Sequence, residues 1–214
     1  MTVSTDTRFG PVSAAHVFEG GFADPVMDSQ AVFRRVMNAL AQPGTVADLS
    51  GFVTPPAPLS QAAAAILLTL ADYDTPVWFE KPDMNDDAIG WMTFHTGAPR
   101  TANALRAGFA VLEKASPVSA WASFPIGTSD YPDRSATLLL PVESLDGGEP
   151  LKLTGPGIET ETMIAPLGLP QGFVAAMAEN RAAYPLGLDV LLVCGGEAIG
   201  LPRTTRITGR IEEA

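Results

Sequence analysis

Arg203, Thr204, Thr205 and Arg206 stand in a row directly after an apolar segment that stops at Pro202. A guanidinium can hold a phosphate or phosphonate through two parallel N–H groups, and threonine hydroxyls add donors. The same row also reads as a polar strand exit with ordinary surface ion pairs. Only His16 and His95 could serve as bases near neutral pH. In Phe94-His95-Thr96-Gly97 the pattern puts His95 at a strand end, where it could face a cleft. Its competing reading is a buried ring bonded to the backbone. His16 falls in an irregular arm and reads as solvated. Asp72 and Asp74 flank Tyr73. Paired carboxylates can do acid–base work or hold a metal, but aspartate before proline also makes turns by bonding its own backbone. Arg203, Thr204, Thr205, His95, Asp72 and Asp74 are thus the candidate ligand-binding residues. None is assigned a catalytic role. Thr128 to Arg134 forms a second polar loop ahead of a buried strand.

The strong catalytic patterns are missing. Gly155-Pro156-Gly157 follows a strand, but proline removes an N–H, and the spacing matches neither the dinucleotide fingerprint nor the P-loop. It reads as a tight turn. There is no Gly-x-Ser-x-Gly elbow and no His-Glu-x-x-His. Cys194, the only cysteine, lies in an apolar run and reads as core filler rather than nucleophile. Lysine occurs three times, at Lys81, Lys114 and Lys152, and none has the surroundings expected of a pyridoxal-phosphate Schiff base. No cofactor and no metal is expected.

The elements that must position these residues follow from hydrophobic spacing. Asp28 or Ser29 can cap a helix whose stripe is Val32, Phe33, Val36, Met37 and Leu40, ended by Pro43-Gly44. Ser60 can cap a second, mostly apolar helix through Leu70, buried nearly all round. Asp72 to Pro76 is a turn, and Val77-Trp78-Phe79 a short strand. Met84 to Met92 is expected as a short helix, and Met92-Thr93-Phe94-His95 and Phe109 to Leu112 as strands. Ser119 to Phe124 is open between helix and strand. Thr137 to Val142 does not alternate and so reads as a central strand. Asp146-Gly147-Gly148-Glu149 looks like a hairpin turn before strand Leu151 to Thr154, and Gln171 to Asn180 is helical. From Tyr184 a second unalternating strand reverses at Gly195-Gly196, a glycine pair suited to a tight hairpin. Strands interspersed with helices imply an α/β fold, a three-layer αβα sandwich with a mixed central sheet. Residues 1–27 read as an irregular N-terminal arm and 28–214 as a single domain.

Bulk composition narrows the function classes. The 214 residues carry a net charge of -11, which argues against nucleic acid and anionic membranes as partners. With 46% hydrophobic and only 17% charged residues, part of the apolar surface is expected to meet a partner subunit. A lone cysteine fits a reducing compartment. The N-terminus lacks signal-peptide character, and no apolar run is long enough to span a bilayer. A cytoplasmic location is expected.

Several segments together resemble the H-subunit family (PhnH) of the bacterial carbon–phosphorus lyase system. They are DSQAVFRRVMNALAQPG, LLTLADYDTPVWF, FHTGAP, SLDGGEPLKLTGPGI, YPLGLDVLLVCG and LPRTT, in that order over residues 28–205. The resemblance implies a homodimeric subunit that joins the G, I, J and K subunits. With G, I and L it is needed to make ribose 1-methylphosphonate 5-triphosphate from ATP and methylphosphonate. It also implies a fold like the large domain of type-I pyridoxal-phosphate transferases without the cofactor, with the nucleosidase chemistry on another subunit. A stand-alone transferase binding a nucleotide or phosphonate is the alternative.

Overall fold

Asp24 and Pro25 start the first helix. The Asp24 carboxylate accepts the Val26 and Met27 N–H groups, both at 3.1 Å, and the Asp28 carboxylate reaches back to the Asp24 N–H at 2.9 Å. Helix α1 is therefore Pro25–Ala41. It begins before the expected caps, because Pro25 gives up no needed donor at the first helical position. Asp28 sits inside the first turn. This is a computed structural model, and it describes residues 18–209. His16 lies outside the described residues. Val32 and Val36 of the expected stripe are buried, whereas Phe33 is 49% exposed.

The remaining elements are β1 (Val46–Asp48), α2 (Gln61–Leu70), β2 (Val77–Phe79), α3 (Asp86–Thr96), β3 (Phe109–Val111), β4 (Thr137–Pro141), β5 (Leu151–Thr154), β6 (Thr162–Ile164), α4 (Phe173–Ala182), β7 (Asp189–Cys194), β8 (Glu197–Leu201) and β9 (Arg206–Gly209). Ser60 caps α2 by accepting the Ala63 N–H at 3.2 Å, and every residue from Ala62 to Leu67 is buried. The strand expected at Met92–His95 is instead the last turn of α3. Ala88, Ile89, Trp91 and Met92 form its buried side, and a four-residue alternation cannot outweigh a continuous helical stripe. Gly97 ends the helix at φ +71, a conformation that glycine adopts without steric cost. Ser119–Phe124 resolves as a 3₁₀ segment, Val118–Ser123.

Six strands form a mixed sheet in the order β1-β8-β7-β4-β3-β2. β2, β3, β4 and β7 run parallel, while β8 and β1 run antiparallel to their neighbours. β4 and β7 lie in the middle. Leu138–Leu140 and Val190–Val193 are at most 1% exposed, which explains their lack of alternation. The β7–β8 turn is Gly195-Gly196. Gly195 takes φ +54, and a side-chain Cβ at Gly196 would stand 2.6 Å from the Cβ of Ser50.

One face of the sheet is covered by α1, α2 and α3. The other differs from the sandwich expected from the sequence. It carries a three-stranded antiparallel sheet, β6-β5-β9, together with α4 and the 3₁₀ segment. The cause is visible in β5, where Leu151 and Leu153 point into the core and Lys152 points out. The Asp146–Glu149 turn accordingly joins no hairpin with β4. It hands the chain from the central sheet to the small one.

The path between β2 and β3 shapes the carboxyl end of the sheet. After β2 the chain crosses the first face as α3 and steps outward. There Arg100 forms a parallel bridge with Val77, and the Thr101 N–H bonds the Val77 carbonyl at 2.9 Å. It then returns past Ala104, which packs on the second face, to enter β3 on the other side of β2. After β3 it leaves on the second face through Trp121. The connections from β2 and β3 therefore depart to opposite sides of the sheet.

Candidate functional site

Beyond the carboxyl ends of β2, β3, β4 and β7 lies a cleft of about 560 Å³. Its floor is apolar and comes from the strands, Val111 and Val193 near the ends of β3 and β7 and Leu139 in the middle of β4. Its polar wall comes from residues directly after those strands: Lys81, Glu113, Lys114 and Glu143. Ser60 and Ala63, from the start of α2, close another side.

Glu80 organises this wall. Its Oε2 accepts the Glu113 N–H at 2.7 Å, and its Oε1 accepts the hydroxyl of buried Ser116 at 3.1 Å. The Ser116 N–H closes a turn onto the Glu113 carbonyl at 3.1 Å. Ala115 sits in that turn at φ +56, the only non-glycine residue with positive φ among those described. Glycine ordinarily fills such a position, so the turn is held by its anchors rather than by local preference. Lys81 reaches Glu113 at 3.8 Å, and buried Asn85 donates to the Lys81 carbonyl at 2.8 Å. Lys114 and Glu143 make no ion pair among the described residues. The start of α2 offers little to a ligand. Its Ala62 N–H is taken by the Gly195 carbonyl at 2.9 Å and its Ala63 N–H by Ser60.

The residues singled out from the sequence lie elsewhere: Arg203 and Thr204 line one shallow depression with Asp133, Tyr184 and Asp189, and Asp72, Asp74 and His95 do not line it. Arg203 binds Asp189, the first residue of β7, and also donates to the carbonyls of Pro132, at 2.9 Å, and Pro185, at 3.3 Å. A further bond runs to the Ser135 hydroxyl. Thr204 accepts from Arg181 Nε at 3.3 Å through its carbonyl. Thr205 is 1% exposed, with its hydroxyl unpaired among the described residues. Arg206 opens β9 and is exposed. Because β8 runs antiparallel to β7, its exit returns to the end where β7 begins, opposite the cleft.

Asp72 and Asp74 precede β2, also at the amino ends of the parallel strands. Asp72 Oδ1 accepts the Asp74 N–H at 3.0 Å and the Thr75 hydroxyl at 2.8 Å, which is turn chemistry. His95, in the last turn of α3, packs edge-on to Trp91 and Phe94 at 4.8 and 5.1 Å. Gly21 presses on its ring, and its Nε2 is buried without a partner among the described residues. Cys194 is half-buried at the carboxyl end of β7 and lines the cleft. A usable signal for the cleft was present in the sequence. Phe79-Glu80-Lys81, Leu112-Glu113-Lys114 and Val142-Glu143 each put charge immediately after an apolar strand.

The family model described as "Bacterial phosphonate metabolism protein (PhnH)" matches residues 20–208, nearly all of the described chain. The chain belongs to the PhnH family. Over 193 residues it is 45% identical to the "Alpha-D-ribose 1-methylphosphonate 5-triphosphate synthase subunit PhnH" of Rhizobium meliloti, covering 90% of this chain and 96% of that protein. Over 178 residues it is 29% identical to the "Putative C-P lyase subunit protein HtxG" of Stutzerimonas stutzeri, covering 83% and 85%. The PhnH match takes in both ends of the sheet, the cleft residues and the Arg203–Asp189 cluster alike.

Proposed function

We propose that this chain is a non-catalytic subunit of a carbon–phosphorus lyase assembly in phosphonate catabolism, needed to form ribose 1-methylphosphonate 5-triphosphate from ATP and methylphosphonate. One observation carries this reading: 45% identity along 90% of the chain to a protein named as a subunit of that synthase. The surface supports a life in contact with partners. Val26, Met27 and Phe33 of α1 are 66, 61 and 49% exposed, and Tyr73 and Phe94 are 73 and 63% exposed. A homodimer that also meets the G, I, J, K and L components would cover such surface. A kinship with the large domain of type-I pyridoxal-phosphate transferases, without the cofactor, belongs to the same proposal. The mixed sheet with helices on one face is compatible with it. So does a cytoplasmic location, where ATP is supplied. No helix among the described residues is long and apolar enough to cross a membrane.

The test has two arms. The tagged full-length chain is expected to co-purify with the G, I and J components, and deleting its gene to abolish growth on methylphosphonate as sole phosphorus source. The isolated chain is expected to release no adenine from ATP and methylphosphonate. Growth of the deletion strain would overturn the reading. Adenine release by the chain alone would establish the stand-alone transferase instead.

A further inference from the structure

We infer that the cleft between the carboxyl ends of β2, β3 and β4 binds a small phosphorylated molecule whose other end donates hydrogen bonds, with Lys114 holding the phosphate and Glu143 the donor. Three independent features meet there. The first is topology. In open α/β sheets, ligands sit outside the carboxyl ends where adjacent strands send their connections to opposite faces, because the diverging connections leave a crevice. The outward step to Arg100 and the return past Ala104 create that point between β2 and β3. The second is space. A volume of about 560 Å³ over an apolar floor falls within the range of small-molecule sites.

The third is charge. Lys81 already faces Glu113. Lys114 and Glu143 follow neighbouring strands and are the cation and anion of the cleft that have no ion-pair partner among the described residues. An ammonium is a compact point charge suited to a phosphate, and a carboxylate accepts only, so it calls for hydroxyls or an amine. A doubly anionic ligand without donors would meet Glu143 unfavourably, and the pairing thus selects a hydroxylated or amino-bearing phosphate. The turn fixed by Glu80 and Ser116, with Ala115 in the left-handed region, holds Lys114 at the cleft before any ligand arrives. The inference does not depend on the subunit reading, since it concerns binding by the chain itself.

Isothermal titration of the full-length chain tests it, with ribose 5-phosphate, O-phosphoethanolamine and inorganic phosphate as probes. Saturable binding of one or both organic phosphates is expected, tighter than that of phosphate. Lys114→Met should weaken the organic probes by roughly tenfold or more, the loss of one charge-assisted contact. Glu143→Gln should weaken them while leaving inorganic phosphate unchanged. Ala115→Gly, whose backbone suits the native turn, should keep the fold and retain binding, and Asp74→Asn, at the opposite end of the sheet, should bind like the unaltered chain. Failure of every probe to saturate overturns the inference, as does unchanged affinity in Lys114→Met. Neither outcome touches the co-purification result, so the two readings fail separately.

Discussion

Arg203 and Asp189 are locked together across the start of β7. The Arg203 backbone N–H and Nε both donate to Asp189 Oδ1, at 2.8 and 3.2 Å, and Nη2 donates to Oδ2 at 2.7 Å. With the bonds to Pro132, Pro185 and Ser135, the guanidinium ties the polar 128–135 loop to the β8 exit. The Arg203 side chain is 12% exposed, so removing its partner strands a largely desolvated charge.

Asp189→Asn and Arg203→Ala should therefore each destabilise the chain by about 2–3 kcal/mol, the range for charged hydrogen bonds that are mostly out of water. Urea unfolding is the measurement, read as a lower midpoint with an unchanged slope. The double variant should lose less than the sum of the singles. Strict additivity would show that the two groups do not act on each other.

The central sheet was legible because burial on both faces writes an unmistakable pattern. Leu138–Leu140 and Val190–Val193 do not alternate and have no room to. Ser60 and the alanines after it were equally plain. Two things were not legible. The alternation in Met92–His95 is real, but its register belongs to a helix whose buried side is set by Trp91 and the sheet beneath. The place of the Arg203 cluster was hidden for a related reason. Local sequence shows donors after β8, but only the pairing of β8 with β7 reveals that they arrive at the amino ends of the parallel strands. For the cleft, the charges after each strand can be read from the sequence, but four separated strand ends build it, so only the fold brings them together.

Asp48 gives a pH-dependent prediction. Hydrogen bonds from the Ser50 hydroxyl, at 2.5 Å, and the Ser50 N–H, at 3.0 Å, hold its carboxyl below the usual value of 3.8, with Arg35 nearby adding to the effect. A depressed folded-state value contributes stability that is present above pH 3.8 and is lost as pH falls through the lower, folded value. Ser50→Ala should move the Asp48 titration back up toward 3.8 and flatten the acid limb of stability below that pH. Carboxyl carbon NMR reads the first and acid unfolding the second. An unmoved titration in Ser50→Ala would refute the assignment of cause.

Ala64 tests whether α2 is as tightly enclosed as its burial implies. It is 0% exposed in a helix that packs on α1, α3 and the sheet, and leucine propagates a helix nearly as well as alanine. Any loss in Ala64→Leu thus reports packing rather than helix propensity. A cost of about 1–3 kcal/mol is expected, the usual penalty for extra methylenes in a filled core. A neutral result by thermal unfolding would mean that α2 has slack against its neighbours.

His95 separates a packing role from a chemical one. Its ring fills the space between Trp91, Phe94 and Gly21, while Nε2 is buried without a partner among the described residues. An unpaired buried nitrogen contributes nothing that a hydrocarbon of similar volume could not. His95→Leu should consequently stay within about 1 kcal/mol of the unaltered chain. His95→Ala, which empties the same half-buried space, should lose roughly 1–3 kcal/mol. Growth on methylphosphonate should then follow stability and not the imidazole, so the leucine variant grows and the alanine variant weakens with temperature. A folded leucine variant that cannot support growth would restore His95 as a functional group. It would also move attention from the carboxyl-end cleft to the outer end of α3.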